Sequence, residues 1–416
     1  MSNIDPSMIV ERVDTVEDFQ RLRNAWEAVY QSDPEAQFFL SWSWLAGVLE
    51  SYPGQWMVLV ARGADGSCCG FLPLRVKLVW SKSRRQLRNE LQFAGRLFWA
   101  DYGSILCDPE HEEAVLGALA SHLKQMDWSH IYLKGFRVSD RRFALFMAPF
   151  ADERLVVDAR TSTINKGHTD NLIAPFIGLP DTFEAYLSNT LSSNTRQKTR
   201  RVLRKLESSG EYQITTTCAA TESRDLEILE ELWRNMWKER KGSDAEYLAT
   251  KYRIIVKRGL DDGLVHMPVL WHRDRPVGAL ASFVDRVKSR LLFFVGGRDE
   301  DVPDLPVGLV LHIHNVRWAI ENGIKTYDLL RGDEPYKYSL GAEDALVRYP
   351  CIRTKSGTNL NGRLDPGCVG EALRMADAFG KGAYRQEAAT VCRQVLATTP
   401  EQETAKRLLT TLADAF

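Results

Sequence analysis

The sequence predicts an α/β (α+β) protein of two domains followed by a short helical tail, and three observations support this. The chain has 416 residues, more than a single hydrophobic core usually serves. The spacing of apolar residues gives the same order of elements in each half: helix, helix, hairpin, strand, helix, strand. Polar and glycine-containing segments at 152–180 and 356–367 separate the parts. We therefore expect domains at 1–160 and 161–355 and a tail at 368–416.

The first half supplies the first copy of this order. Apolar residues recur at helical spacing in its two opening segments, and alternating apolar runs flank a tight turn in the next two. Asp108 and Pro109 then open another helix, with acidic residues in its first turn. The predicted elements are helices at 15–31 and 42–51, strands at 55–62 and 70–79, a helix at 110–126 and a strand at 130–133.

The second half repeats the order with different residues. Its last predicted helix carries an apolar stripe at i, i+4, i+7 and i+11 and ends at Gly323. The predicted elements are helices at 221–240 and 247–260, strands at 266–272, 276–285 and 290–295, a helix at 308–322 and a strand at 326–330.

Charge, hydropathy and cysteine content exclude several classes of protein. The formal net charge is −1, so no overall charge attracts nucleic acid, and we expect no DNA partner. The apolar runs fall short of the roughly 20 residues of a membrane span, and the early acidic residues do not fit a secretory signal. Seven cysteines without C-x-x-C spacing indicate free thiols in a reducing compartment, which predicts a cytoplasmic protein. His312 and His314 lie two apart on a predicted helix and make a poor metal pair, so no metal is expected.

A strand, loop and helix around residue 300 form the most informative segment. The strand ends in Val295, Gly296 and Gly297, and Gly308 lies at the start of the helix. Unpaired amides at a helix N-terminus bind phosphate, and glycine lets a ligand approach the backbone. The alternative is that Gly308 only eases the turn into the helix.

The stretch 266–340 resembles the core of the GNAT superfamily of acyl-CoA N-acyltransferases. The matching segments are the hairpin VLWHRDRPVGALASF, the strand SRLLFFVGG, the helix PVGLVLHIHNVRWAIENG and the strand KTYDLLRG. The run from Leu329 to Lys337 is similar to a signature of the CelD-like branch, which is associated with bacterial cellulose and exopolysaccharide synthesis. That branch is related to the FemAB-type aminoacyltransferases, which have two GNAT-like domains. The resemblance covers about 15–350. It implies tandem GNAT-like domains, each a mixed twisted sheet flanked by helices, with a non-catalytic first domain.

The resemblance also implies where acetyl-CoA or another acyl-CoA would bind. The pantetheine would lie along the strand residues Phe294, Val295 and Gly296, and the pyrophosphate would meet the amides of Val307, Gly308 and Leu309. In place of the usual Q/R-x-x-G-x-G/A loop the chain has a longer acidic loop with Asp299, Glu300, Asp301 and Asp304, the last of which lies outside the residues described below. A loop of this kind fits a loss of CoA affinity or an acyl-tRNA donor equally well.

Attack of an amine on a thioester needs a base for the ammonium proton and an acid for the leaving thiolate. The candidates follow the last predicted strand: Asp328, Asp333 and Glu334 as bases, Tyr336 as acid, and Lys337 as an anion or oxyanion ligand. The alternative is a solvated turn fixed by Pro335.

Two further segments suggest partners. The predicted helix at 183–209 has a cationic side that would suit CoA phosphates, a phospholipid-linked sugar or tRNA, and the alternative is a solvated face. Its cations are Arg196, Lys198, Arg200, Arg201, Arg204 and Lys205. The tail resembles a tetratricopeptide-type helical pair that would dock on the body or on a protein partner, and a plain helical hairpin is the alternative.

Together these observations predict an acyl-CoA-dependent N-acyltransferase that transfers an acyl group, acetyl by preference, to an amine or hydroxyl. The acceptor would be a sugar, a polysaccharide precursor or a small metabolite. One alternative is a FemAB-like aminoacyl-tRNA-dependent transferase acting on a cell-wall precursor. The other is a non-catalytic GNAT-fold scaffold.

Overall fold

The computed structural model describes residues 8–302, 305–382 and 384–413, and the chain divides into two compact units. One unit takes the chain up to Thr161 and again from Val347 onward, and the other is Ser162–Leu346. Each unit contains a mixed eight-stranded sheet flanked by helices. The predicted fold class is therefore confirmed.

The first unit is built on a sheet that is antiparallel apart from one parallel pair, Gln86–Phe93 with His130–Tyr132. In order across the sheet its strands are Ile9–Val13, Trp56–Arg62, Cys68–Ser81, Gln86–Phe93, His130–Tyr132, Pro350–Thr354 and Leu155–Ala159, with Leu106–Cys107 beside Cys68–Ser81. Its helices are Val16–Arg21, Arg23–Ser32, Trp42–Ser51, Glu112–Leu123 and Asp140–Met147, and in the tail Val369–Lys381, Arg385–Thr398 and Glu403–Ala413.

The boundary between the units differs from the predicted one at 355. The strand Pro350–Thr354 lies in the first sheet, hydrogen-bonded on both edges, with Ile352 opposite Ile131 and Val157. Ile352 is buried in the first unit's core, which holds this strand there. The segment predicted as a linker at 152–180 contains Leu155–Ala159 of the first sheet and Ile173–Gly178 of the second.

The helical tail packs on the first unit. Its apolar residues, including Ala372, Val391 and Val395, form one buried cluster with Leu78 and Leu87 of the sheet. Arg12 fixes the entry to the tail by a two-pronged ion pair with Asp365, at 2.6 and 2.9 Å. The resemblance to a tetratricopeptide pair stays a prediction.

The second unit has the sheet order Tyr212–Thr216, Pro268–His272, Arg275–Asp285, Arg290–Arg298, Thr326–Asp328, Ile173–Gly178 and Glu343–Leu346, with Val265–His266 beside Arg275–Asp285. A separate small hairpin pairs Thr163–Ile164 with Thr169–Asp170. Its helices are Phe183–Ala185 with a π-turn at Tyr186–Thr190, then Ser193–Ser209, Glu222–Lys241, Asp244–Asp261, Val307–Glu321 and Pro335–Ser339.

Three elements of this unit position the candidate site. We call Arg290–Arg298 the central strand, Thr326–Asp328 the short strand and Val307–Glu321 the core helix. Leu280 of the neighbouring strand lies in a buried cluster with the core helix and the helix Ser193–Ser209. The residues on either side of Leu280, Ala279 and Ala281, pack instead with the helices Glu222–Lys241 and Asp244–Asp261. Adjacent strand residues face opposite sides of a sheet, so the helices cover both faces of the central strand's sheet.

Candidate active site

A gap opens between the central strand and the short strand. These strands are parallel and pair only through Arg290, Leu291 and Leu292 with Thr326, Tyr327 and Asp328. From Phe293 to Arg298 the central strand is paired, among the described residues, only on its other edge with Arg275–Asp285. Backbone groups on the open edge are therefore available to an extended ligand.

A β-bulge begins the gap. Ala281 pairs with Val295 and Ser282 with Phe293, so Phe294 is the extra residue. Phe294 and Gly296 are partly exposed, whereas Val295 is buried. Gly297 lies against helix Glu222–Lys241, where an added Cβ would sit 2.8 Å from the carbonyl carbon of Leu232. The three strand residues predicted to line a donor therefore lie on the open part of the strand, and Gly297 lets a helix pack against it.

The core helix begins at the far end of this open strand. No side chain of a described residue caps its N-terminus. The amide of Val307 donates to the carbonyl of Leu305 at 2.9 Å, so it is not available as predicted. The amides of Gly308 and Leu309 have no acceptor within the part of the chain that the structure describes. The guanidinium of Arg298 lies beside them, since a Cβ on Gly308 would be 3.7 Å from its Nη1. Two amides that are unpaired among the described residues, with the Arg298 cation, which also pairs with Glu300 at 3.0 Å, make a site suited to phosphate.

Lys337 lies inside the loop that follows the short strand. Its side chain is 3% exposed and forms an ion pair with Glu334 at 3.0 Å. Its ammonium donates to the carbonyls of Leu330, Arg331 and Gly332 at 3.3, 3.1 and 2.9 Å. An ammonium has three protons, so these contacts occupy it. Lys337 therefore fixes the loop, in contrast to the predicted role of an anion ligand.

Asp328 also acts within this loop. It is buried, and its carboxylate accepts a hydrogen bond from the amide of Leu330 at 2.9 Å. Leu330 adopts a left-handed backbone conformation with φ of 55°, which this contact stabilises. Asp328 is therefore placed to shape the turn rather than to meet a substrate.

The remaining predicted residues lie nearer the surface. Asp333 accepts a hydrogen bond from the amide of Asp170 at 2.7 Å. Glu334 is partly exposed, and Tyr336 keeps 41% of its surface exposed. Partial burial and the neighbouring Glu334 carboxylate raise the pKa of Tyr336, so its hydroxyl keeps its proton at neutral pH. The pair Glu334 and Tyr336 can therefore act as a proton acceptor and a proton donor.

A buried polar network beneath Tyr336 was missed by sequence reasoning. The ring of His312 lies 5.5 Å from that of Tyr336, and its Nδ1 is 2.9 Å from the hydroxyl of Tyr327. Asn315 donates to Ser282 at 3.0 Å and approaches the same hydroxyl at 3.4 Å. The available signal was the pair His312 and Asn315, at i and i+3 on one side of the predicted helix.

The cationic helix Ser193–Ser209 has both paired and unpaired cations. Arg196 donates to the carbonyl of Ser188 at 2.8 Å, Arg200 pairs with Glu184, and Arg204 donates to the carbonyl of Arg200 at 3.3 Å. Within the described ranges Lys198, Arg201 and Lys205 have no carboxylate partner. Half of the predicted patch therefore remains open to an anion.

The first unit contains a parallel pair of the same length but no gap. Its parallel residues are Glu90, Leu91 and Gln92 with His130, Ile131 and Tyr132. The strand ends at Phe93 and a 3-10 turn follows at once. Isolated bridges join Phe136 to Gly103 and to Arg348 beyond the pair. The first unit therefore has no open strand edge at the position where the second unit has one.

No group of three or more histidine, cysteine, aspartate or glutamate side chains among the described residues is arranged to hold a metal ion. Among the same residues, the helices are too short or too polar for any of them to cross a bilayer.

Comparison with known proteins relates the second unit to a family of domains. Residues 193–338 match the acetyltransferase (GNAT) domain family. No curated protein matches the chain. The crystal structure of FemX resembles it with a TM-score of 0.57 at 12% identity, over 83% of this chain and 97% of that one.

Two other solved structures are similar at lower scores. The C-terminal domain (DUF2156) of a putative lysylphosphatidylglycerol synthetase from Agrobacterium fabrum has a TM-score of 0.46 at 11% identity, over 82% of this chain and 92% of that one. A tandem GNAT protein from the clavulanic acid biosynthesis pathway has a TM-score of 0.46 at 12% identity, over 83% and 98%. Residues 193–338 of the second unit thus match a GNAT domain family, and the fold of the chain is similar to that of FemX.

Proposed function

We propose that the second unit is an acyl-CoA-dependent N-acyltransferase. It would transfer an acyl group, acetyl by preference, to an amine or hydroxyl of a sugar, a polysaccharide precursor or a small metabolite. The observation that carries this proposal is the open edge of the central strand, which leads to the free amides of Gly308 and Leu309. An acyl-CoA donor also supports a cytoplasmic location.

The residues present fit such a donor. A pantetheine chain carries amide groups along its length, and the open backbone from Phe294 to Gly296 offers matching hydrogen-bond partners. The two free amides, with Arg298 beside them, would receive the pyrophosphate. Gly308 has no close neighbour except Arg298, so a phosphate can approach the backbone there.

The reaction would be direct transfer. The acceptor amine forms a bond to the acyl carbon, and the bond from that carbon to sulfur breaks. Glu334, or Asp333 beside it, would take the proton lost by the amine, and Tyr336 would give its proton to the leaving sulfur. Asp328 and Lys337 would act as positioning residues, because their polar groups are engaged inside the loop.

We further propose supporting roles for the remaining parts. The first unit, whose described residues have no such gap beside the parallel pair, would not catalyse transfer. Residues 329–337 are similar to a signature of the CelD-like branch, which is associated with exopolysaccharide synthesis. This similarity supports a saccharide acceptor. The tail would offer a surface to a protein partner.

Calorimetric titration with acetyl-CoA tests the donor site. We expect binding by the wild type and its loss in Gly308→Trp, since the indole would cover the free amides. Gly178→Trp is the matched control, because Gly178 is exposed in the same unit and an added Cβ there meets no atom within 4 Å. Absence of binding by a folded wild type would rule out the acyl-CoA donor.

A second candidate is an aminoacyl-tRNA-dependent transferase, which the open cations Lys198, Arg201 and Lys205 favour. Binding to a polyanion such as tRNA falls steeply with salt, and the slope reports how many phosphates are neutralised. Replacing the three cations with glutamine should then weaken tRNA binding and flatten the salt dependence. The charge-matched control replaces the exposed residues Lys77, Lys82 and Lys355 of the first unit. Equal loss in both variants would contradict this candidate.

A further inference from the structure

We propose that His312 is a further catalytic residue, a neutral imidazole whose Nε2–H donates a hydrogen bond to the carbonyl oxygen of the thioester. This inference rests on the proposed function and adds a residue that the sequence analysis considered only as a metal ligand. It gives the buried network beneath Tyr336 a chemical role, which is to polarise the carbonyl of the thioester.

His312 lies where the parallel pair of strands ends. Its ring meets Phe293, the first residue of the central strand beyond its pairing with the short strand, edge to face at 4.7 Å between centroids. Tyr327 of the short strand lies 6.0 Å away on the other side, and Tyr336 covers the ring at 5.5 Å. The imidazole is therefore at the closed end of the gap, where the acyl end of an extended donor would lie.

The geometry around Tyr327 assigns the proton of His312 to Nε2. The amide of Asn315 donates to the hydroxyl of Ser282 at 3.0 Å and approaches the hydroxyl of Tyr327 at 3.4 Å. With its oxygen accepting from Asn315, Tyr327 can donate its own proton to Nδ1 of His312, at 2.9 Å. A neutral imidazole has one proton, so that proton is on Nε2.

The surroundings keep the ring neutral. Burial, together with the charges of Lys337 and Arg298, lowers the pKa of His312 to about 3. At neutral pH the ring thus donates without carrying a charge. A neutral imidazole of this kind can polarise a carbonyl, because a fixed donor in a water-poor site favours the negative charge that develops on oxygen.

The Nε2–H group of His312 has no acceptor among the described residues of the protein. Nε2 makes no hydrogen bond with any residue that the structure describes, and His312 is only 6% exposed. The ring nitrogens point in different directions, so Nε2 faces away from Tyr327. In contrast to Nε2 of His266 and His314, Nε2 of His312 is not sealed from solvent, so a ligand oxygen that enters the gap can accept its hydrogen bond.

Two CoA derivatives test this assignment. Acetyl-CoA has the thioester carbonyl, whereas S-ethyl-CoA is a thioether of similar size without it. For the wild type we expect acetyl-CoA to bind about tenfold more tightly than S-ethyl-CoA, as for one buried hydrogen bond. His312→Phe should remove this preference and leave the affinity for S-ethyl-CoA unchanged, which also shows that the variant is folded. His312→Gln, which keeps an N–H donor, should restore part of the preference.

The possible results distinguish the role of His312 from the proposed acyl-CoA donor site. A carbonyl preference that persists in His312→Phe, or a wild type that binds both compounds equally, would overturn the assignment and leave the donor site in place. Failure of the wild type to bind either compound would overturn the proposed function and this inference together. Tyr327→Phe should reduce the preference, because without the phenol hydroxyl either nitrogen of His312 can carry the proton.

Discussion

The side-chain nitrogen of Lys337 lies 2.9 Å from the carbonyl oxygen of Gly332, and this contact links the helix Pro335–Ser339 to the loop before it. Gly332 has a φ of 106°, and an added Cβ there would lie 2.6 Å from the carboxylate of Glu334. The ammonium, the loop carbonyls and the carboxylate thus form one buried arrangement. It holds Glu334 and Tyr336 in place at the mouth of the gap.

Replacing Lys337 with methionine should destabilise the protein. The change leaves three carbonyls and the Glu334 carboxylate without their cation, at a cost of about 3 kcal/mol in the free energy of unfolding. Urea denaturation measures this cost. Lys325→Met is the matched control, because the ion pair of Lys325 with Asp181 is exposed and should contribute less than about 1 kcal/mol. Equal effects of both changes would contradict the buried role of Lys337.

Gly297→Ala should also destabilise the second unit. The new methyl group would press against the backbone of Leu232 and Trp233, which cannot move as a flexible side chain can. We expect a loss of about 2 kcal/mol in thermal or urea denaturation. Gly296→Ala in the same strand is the control, since its nearest atoms lie at 3.4 Å, an ordinary contact. A tolerated Gly297→Ala would mean that the helix can shift away from the strand.

His266 should make stability depend on pH. It is 3% exposed and stacks on Trp318 at 3.9 Å, and burial lowers its pKa to about 3 from the ordinary 6.5. The lowered pKa stabilises the folded state above pH 6.5, and this contribution is lost as the pH falls toward 3. Between pH 7 and 5 the free energy of unfolding should fall by about 2 kcal/mol on account of this residue. His266→Phe keeps the stacking and should remove that part of the slope. An unchanged slope in the variant would show that the folded state accepts the proton.

Tyr336→Phe should lower turnover without weakening the binding of acetyl-CoA. The variant keeps the ring over His312 but loses the proton that would go to the leaving sulfur, and general acids contribute about 100-fold or more. Release of CoA in the presence of an acceptor found by screening amino sugars measures kcat. Tyr338→Phe is the control, because the hydroxyl of Tyr338 donates to Asp344 at 2.8 Å. If both variants keep full turnover, another group protonates the sulfur.

The part of the fold that depends on local spacing could be predicted from the sequence. The helices and strands from 266 to 330 appear close to their predicted bounds, because apolar periodicity along one segment determines each of them. The place of Pro350–Thr354 could not be predicted, since it depends on pairing with strands far away in the sequence. The segment 152–180 was predicted to be a linker for the same reason, because its strands also pair with strands far away in the sequence.

The site was predictable as a region but not residue by residue. The acidic and aromatic residues after the short strand stood out by composition, yet the contacts of Lys337 and Asp328 depend on the left-handed turn at Leu330. His312 lies in a largely apolar helix and looks from the sequence like an ordinary core histidine. Its proposed role depends on Tyr327, which only the fold brings within 2.9 Å of its Nδ1.

The position of Pro350–Thr354 between His130–Tyr132 and Leu155–Ala159 has a consequence for biosynthesis. During translation the first sheet lacks an inner strand until the whole of Ser162–Leu346 has left the ribosome. Leu155–Ala159 has no other neighbour in the sheet, so it cannot dock before then. The second unit can complete its own sheet while the first sheet still lacks Pro350–Thr354. The usual order of domain folding on the ribosome, N-terminal first, would thus be reversed in this chain.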